Sequence, residues 1–256
     1  MYVAQMSFAM NESADADTAS ELVNRLLAAM RMNGQVCGRE LPIVITDSRC
    51  LSFVLLPDID ALATQHMNEY VTSSIESLHV AGFEGPDVTV IGEDIDYIKT
   101  CMCQQHESYI LFTDYVSLES PLRCGTCFLP IPLYKITPTY DTEYYDIICW
   151  QSDYQCCDRL QMGCKTLERA SIREMSRPES SLSKRGRNIS ERIIDSTGIP
   201  TYYYLYRGGS ARSRKQELAR TCPVCNGEWR LDEPWHIFDF KCERCHLLSN
   251  IAWNVR

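Results

Sequence analysis

Three features of the 256-residue sequence predict an α+β fold. Short stretches with the two-residue alternation of strands are interleaved with stretches whose apolar residues recur every three to four positions, the helix period. Glycine, proline and small polar residues punctuate the boundaries. Twelve of the fourteen cysteines lie beyond residue 100, so the two parts of the chain rest on different chemistry.

Residues 2–9 read as a strand. "DTASELVNRLLAAMRMNG" follows as an amphipathic helix, with a capping box formed by Thr18 and Glu21. Leu22, Leu26 and Met30 line its apolar face beside Val23 and Leu27, and Gly34 stops it. "LPIVIT" and "LSFVLL" are two strands around the tight connection "DSR", the pattern of a hairpin. "DIDALATQHMNEYVTSSIESLHVAGF" reads as a second helix, with Leu62, Tyr70, Ile75 and Leu78 inward and Gly82 beyond its end; "DVTVIG" is a closing strand. The order β-α-β-β-α-β within residues 1–96 is that of the ferredoxin-like split βαβ unit. Such a unit hosts many functions and assigns none.

Residues 97–207 form a cysteine-rich middle region with helices. "YILFTDYV" is expected as a strand between the pairs Cys101/Cys103 and Cys124/Cys127, and "PIPLYKI" as another, kept extended by its prolines. "EYYDIICWQSDYQCCDRLQMG" is helical, with Ile147, Trp150, Tyr154, Cys157 and Leu160 in reach of one face. Two further helices fill 166–200, broken at "SRPESS" and ended by "STGIP", before the β-prone "TYYYLYR". "GGSARSRKQ" reads as a flexible basic linker to a last domain, 217–256.

Bulk properties exclude several classes. With 45% apolar and 23% charged residues the composition is that of an ordinary soluble protein. No apolar run approaches the roughly 18–20 residues needed to span a bilayer, and "MYVAQMSFAM" lacks the positive start of a signal peptide. A cytoplasmic location is expected, with no membrane partner. Thiols stay reduced there, so clustered cysteines point to metal or redox chemistry rather than disulfides.

The last domain carries the most specific signal, Cys222-x2-Cys225-x16-Cys242-x2-Cys245. Two Cys-x2-Cys turns at such a separation are a zinc signature. Each turn sets two sulfurs on one side of the ion, and four thiolates complete the tetrahedron, leaving no position for water. A structural Zn2+ in a C-terminal zinc ribbon is predicted. His236 and His246 could substitute as ligands, although four sulfurs already satisfy the ion.

Cys101, Cys103, Cys124 and Cys127 follow the same logic less regularly, because one half is Cys-x-Cys. A second zinc there has rivals. His106 could replace a cysteine, or Cys157 and Cys164 could supply half of the tetrahedron. A redox dithiol would sit at a helix N-terminus, whereas "CGTCFLPIPLY" runs into prolines and strand-like residues.

"SPLRCGTCFLPIPLYKI", "CCDRLQMGC", "TGIPTYYYLYR" and "CPVCNGEWRL…FDFKCERCHLLSNIAWN" together resemble a bacterial domain-of-unknown-function family of Zn-ribbon-containing, candidate nucleic-acid-binding proteins. The resemblance covers about residues 100–256 and is weaker in front. It implies a cytoplasmic bacterial protein with a zinc ribbon at Cys222, Cys225, Cys242 and Cys245.

The net charge of −9 is unevenly spread. Residues 1–160 hold 23 acidic and 8 basic residues, residues 161–256 hold 11 and 17. The basic residues Arg173, Arg177, Lys184, Arg185, Arg187, Arg212, Arg214 and Lys215 could contact phosphates, with Tyr202–Tyr204 or Trp229 stacking on bases if exposed. Ordinary packing is the competing account of those aromatics, and a solvated helical face that of the charges.

No phosphate loop, Gly-x-Ser-x-Gly elbow or His-Glu-x-x-His helix is present, and His66 and His79 read as surface or core residues. A non-catalytic zinc-binding protein contacting nucleic acid is therefore expected. The alternative is a protein-binding role, such as a toxin-neutralising immunity protein meeting a basic partner through the acidic front half.

Overall fold

A computed structural model of the chain describes residues 1–11, 15–38, 42–46, 48–209 and 211–256. Leu41 and Asp47 of the expected hairpin and Ser210 of the expected linker fall outside the described residues. The architecture is mixed α+β and divides into two compact units.

The first unit comprises residues 1–102, 118–120 and 129–145. Its strands are β1 (Tyr2–Met10), β2 (Ile43–Ile45), β3 (Arg49–Leu56) and β4 (Phe83–Glu93), in the order β2-β3-β1-β4 with every neighbour antiparallel. Helices α1 (Ala16–Met32) and α2 (Glu69–Val80) connect β1 to β2 and β3 to β4. Met6 and Phe8 of β1 and Val54 and Leu56 of β3 share one core with Val23, Leu26 and Met30 of α1 and Val71 and Leu78 of α2.

Two helix starts differ from expectation. α1 begins before Thr18, because the Asp15 carboxylate accepts from the N–H groups of Asp17 and Thr18 at 3.0 and 2.9 Å and caps the helix itself. α2 begins about ten residues late. Asn68 Oδ1 accepts from Val71 N at 3.0 Å and caps it, and the preceding stretch is turns with a single 3₁₀ turn at Thr64–His66. Tyr70 consequently faces solvent, its hydroxyl donating to Asp141 at 2.9 Å. "PIPLYKI" is not a strand; Leu133–Lys135 is a 3₁₀ turn, in a stretch where Pro130 and Pro132 have no N–H to give a ladder.

The second unit comprises residues 103–117, 121–128 and 146–256. Its sheet has the order β6-β5-β7-β10-β9-β8, from β5 (Tyr109–Leu111), β6 (Leu122–Cys124), β7 (Thr201–Tyr204), β8 (Arg230–Trp235), β9 (Phe238–Cys242) and β10 (Leu247–Ser249). β7 is parallel to both β5 and β10. Strands from the cysteine-rich middle and from the tail thus share one sheet. The helices of this part of the chain are α3 (Tyr145–Met162), α4 (Glu168–Ser176), α5 (Ser181–Thr197) and α6 (Arg214–Leu218). The last starts inside the expected linker, capped by Ser213 Oγ.

β5 stops at Leu111 instead of running to Val116. Asp114 Oδ1 accepts from the N–H groups of Val116 and Ser117 at 3.0 and 2.9 Å and folds the chain into a turn. Buried β7 packs against α3 and α5. The Tyr203 ring meets Trp150 edge-on at 5.9 Å, and a methyl group on Gly186 would come within 2.2 Å of Tyr203 Cε2. Among the described residues, no helix is long and apolar enough to cross a membrane.

Candidate metal centres

Two groups of four cysteines converge: Cys222, Cys225, Cys242 and Cys245, and Cys101, Cys103, Cys124 and Cys127. In each, all four Sγ atoms lie within 4.8 Å of one another. Four sulfurs held about 2.3 Å from a tetrahedral ion would be separated by about 3.8 Å. Cys225 Sγ and Cys242 Sγ are 3.6 Å apart, and no disulfide ties any cysteine of either group. The donor set and its spacing fit one metal ion in each cluster.

Local backbone builds the half-sites. In the Cys222/Cys225 turn, Asn226 N donates to Cys222 O at 2.8 Å; in the Cys124/Cys127 turn, Phe128 N donates to Cys124 O at 2.9 Å. The residue after the second cysteine is left-handed in all three Cys-x2-Cys turns: Phe128 at φ 62°, Asn226 at 57° and His246 at 47°. This reversal lets backbone N–H groups point at sulfur. Thr126 N lies 3.4 Å from Cys124 Sγ. N–H donation from Gly227, aided by the neighbouring thiols, lowers the Cys225 thiol to about 7. Burial acts the other way, pushing Cys245 up to about 11 and raising Cys242 as well.

The second cluster has additional support. Gly125 N donates to Ser108 O at 2.8 Å, and any side chain at 125 would strike Ser108 Oγ at 2.0 Å, which accounts for the glycine of "CGTC". Gly125 O accepts from Trp235 Nε1 at 3.1 Å and lies 2.7 Å from His236 Nε2, which a carbonyl partner fixes as the N–H nitrogen. Both rings belong to the β8–β9 hairpin. Phe128 stacks on His236 with centroids 5.0 Å apart and planes at 16°, meets Phe238 edge-on at 5.6 Å, and takes the Arg123 guanidinium over its face at 5.6 Å. His236 is therefore a clasp on the other cluster's turn and no ligand of its own.

The rival ligands stay outside both groups. Burial, reinforced by Glu174, pushes the Cys157 thiol up to about 11. Cys164 is exposed, with its thiol 3.4 Å from Gln161 O. His106 packs at 5.4 Å from Tyr109. His66 lies 4.5 Å from the Tyr134 ring, and His79 Nε2 is 2.9 Å from Gly85 O. No helix follows Cys124 and Cys127 closely enough to support the redox alternative.

The eight basic residues all fall in the second unit. Seven are exposed and Arg187 is half-buried. Arg185 is ion-paired to Asp153 at 2.5 Å, and Arg187 reaches Pro178 O at 3.5 Å. The aromatics offered as base-stacking partners are core residues, since Tyr202, Tyr203, Tyr204 and Trp229 are all buried. Tyr202 also carries a hydroxyl bond to Glu243, and Trp229 Nε1 donates to Arg220 O at 3.1 Å.

An α+β frame carrying two four-thiol clusters fit for metal is the class that fold and site define. The chain belongs to a bacterial family of unknown function. It is 37% identical over 243 residues, 93% of each chain, to an uncharacterized protein of Haemophilus influenzae. A second uncharacterized protein of that organism is 41% identical over 166 residues, 64% of this chain and 81% of that one. Three families, each described as a domain of unknown function, match successive stretches: DUF8589 over residues 1–92, DUF2310 over 103–206 and DUF8594 over 211–255. A solved structure described as a candidate antibiotic biosynthesis monooxygenase of Deinococcus radiodurans is 19% identical, covering 38% of this chain and 98% of that one with a TM-score of 0.26. A likeness that slight carries no argument.

Proposed function

We propose that the protein is a non-catalytic zinc-binding protein that contacts nucleic acid through its basic second unit. One observation carries the metal part: twice over, four cysteine sulfurs approach within 4.8 Å of one another. Zn2+ is the reading because four thiolates around a tetrahedral ion are its commonest structural set. Four sulfurs close the site, so both ions are structural. On this reading β8, β9 and β10 form the zinc ribbon, and the order β1-α1-β2-β3-α2-β4 makes the first unit a ferredoxin-like scaffold. Elemental analysis of the purified protein should find two zinc ions per chain. One overturns the middle site, and none overturns the proposal.

Nucleic-acid contact is supported by the exposed side chains of Arg173, Arg177, Lys184, Arg212, Arg214 and Lys215. Binding to labelled DNA and RNA, followed by fluorescence anisotropy, should be measurable at low ionic strength and fall steeply as salt rises. No binding at low salt removes this part.

A second reading, docking of a basic protein partner, is favoured by β4. This strand is at an edge of its sheet and leaves Val88, Val90 and Ile91 exposed beside Glu84, Asp87 and Glu93. A pull-down from the host that recovers one stoichiometric basic protein, lost in Val90→Lys, would support it.

A further inference from the structure

Trp253 leaves 70% of its surface to solvent, and three separate contacts hold it in that exposed position. Gly209 lies against the indole so closely that a methyl group there would come within 2.0 Å of Trp253 Cε2. One residue before the ring, Ala252 N donates to Glu217 Oε1 at 3.2 Å. That carboxylate is 2% exposed and is ion-paired to Arg207 and Arg220, each at 2.9 Å. One residue after it, Asn254 Nδ2 donates to Ala211 O at 2.8 Å and Oδ1 accepts from Ala211 N at 3.2 Å. A large aromatic ring is therefore held against a glycine, with both chain neighbours tied down, while most of it stays in water.

The exposed surroundings are cationic, the nearby carboxylates being engaged: Glu217 by Arg207 and Arg220, and Asp239 by the N–H of Ile251 at 2.7 Å. Arg214 Nη1 reaches Val255 O at 3.4 Å, which sets its guanidinium beside the Trp253 segment, and Arg212 and Lys215 are exposed on the same stretch. Residues 205–216 and 250–256 contain no Asp or Glu. On α4 and α5, by contrast, Glu168, Glu174 and Glu191 alternate with the basic residues.

We propose that Trp253, seated on Gly209 and bordered by Arg212, Arg214 and Lys215, is a stacking platform for an unpaired base of single-stranded nucleic acid, the basic residues taking the adjoining phosphates. An indole offers its face to any base, and a duplex hides the faces that would stack. The proposal rests on the nucleic-acid reading above and gives it a location.

The test is anisotropy of the full metal-loaded chain with a labelled oligothymidylate, an oligouridylate and a mixed-sequence duplex. Both single strands should bind more tightly than the duplex. Log K against log salt should have a slope of about −2, from about 0.7 per phosphate contacted. Trp253→Ala should weaken single-strand binding about ten- to hundredfold with that slope unchanged. Gly209→Ala keeps the indole but displaces it, and should weaken binding too. Arg212→Ala should reduce the slope by about 0.7. If wild type and a folded, metal-loaded Trp253→Ala bind equally, the platform is wrong and the nucleic-acid reading survives. If the duplex binds as tightly as the single strands, stacking is wrong. If no oligonucleotide binds at low ionic strength, both fall. Should Trp253→Ala lose its metal, Arg212→Ala decides, and an unchanged slope overturns the placement.

Discussion

The two cysteine clusters reach the same four-sulfur arrangement by different routes. The tail cluster consists of two Cys-x2-Cys turns joined by a hairpin, so each half is prefabricated by local backbone and only their meeting is long-range. The middle cluster has one such turn and one Cys-x-Cys pair. Two residues apart, Cys101 and Cys103 need only an extended chain to face the same way, and Cys101 N donates to Pro130 O at 2.9 Å. Its one turn is braced from outside as well: Ser108 beneath Gly125, the Arg123 cation over Phe128, and Trp235 and His236 at the Gly125 carbonyl. The cluster with an irregular half thus has its regular half tied into the rest of the sheet, whereas the tail cluster is built from two turns of its own.

The largest test of this contrast is Cys242→Ser. A structural zinc contributes on the order of 10–16 kcal/mol in small zinc domains. The variant should lose the tail ion, melt β8–β10, and release the middle ion through loss of the whole hairpin, the His236 and Phe238 rings packed on Phe128 as well as the clasp on Gly125. Metal content well below one ion per chain, with reduced strand content by circular dichroism, is the expected result. Cys103→Ser should instead lose only the middle ion and keep one per chain. One ion kept in both variants would show that the clusters are independent, and both ions lost in both variants would show that they depend on each other in both directions.

Removing the clasp alone should have a smaller effect. Trp235→Phe combined with His236→Ala deletes both donors to Gly125 O, at about 1–3 kcal/mol for the buried acceptor left behind. A chelator should then extract one of the two ions about 5- to 150-fold faster, with both still bound at rest. Unchanged extraction kinetics would mean that the middle cluster is self-sufficient.

Proton release separates the thiols of the tail cluster. With Cys225 lowered to about 7 and Cys245 raised to about 11, loading at neutral pH must displace protons from the raised thiols. Affinity should therefore fall as pH drops, and proton release should diminish as pH rises towards 11. Titration in a weakly buffered dye solution reads both, and a pH-independent affinity would contradict the assignment of four thiolates.

The smallest contrast concerns the left-handed residues. Asn226→Gly relieves the backbone and should stabilise the chain by less than about 1 kcal/mol. Phe128→Gly gains the same relief but loses the contacts with His236, Phe238 and Arg123, and should destabilise it by about 1–3 kcal/mol. Thermal unfolding of the two variants, with opposite signs of shift, checks the comparison.

How legible each feature was in the sequence follows from range. The four cysteines of the tail group could be read from spacing, because Cys-x2-Cys turns are local, whereas those of the middle group stayed in competition with His106, Cys157 and Cys164 because a Cys-x-Cys half is irregular. The three helices from 145 to 197 were legible through their period and through the break at Pro178. The start of α2 was not, because Asn68 competes as a cap with every polar residue upstream. β5 was overextended because alternation over "YILFTDYV" gave no sign that Asp114 would take the backbone N–H groups for a turn. The clasp of Trp235 and His236 on Gly125 spans more than a hundred residues, and no pattern in either segment announces it. Trp253 carries no mark in the sequence, since exposure is a property of the fold.

The central position of β10 bears on how the second unit can form. β7 is an interior strand only because β10 lies along one of its edges, and β10 comes about forty residues later in the chain. Until those residues arrive, or whenever the tail ribbon opens, β7 presents an unpaired row of backbone groups flanked by three tyrosines, the kind of edge that invites strands from other chains. Metal starvation should therefore show first as aggregation rather than as loss of a surface activity, an ion in the tail cluster being what would guard that edge.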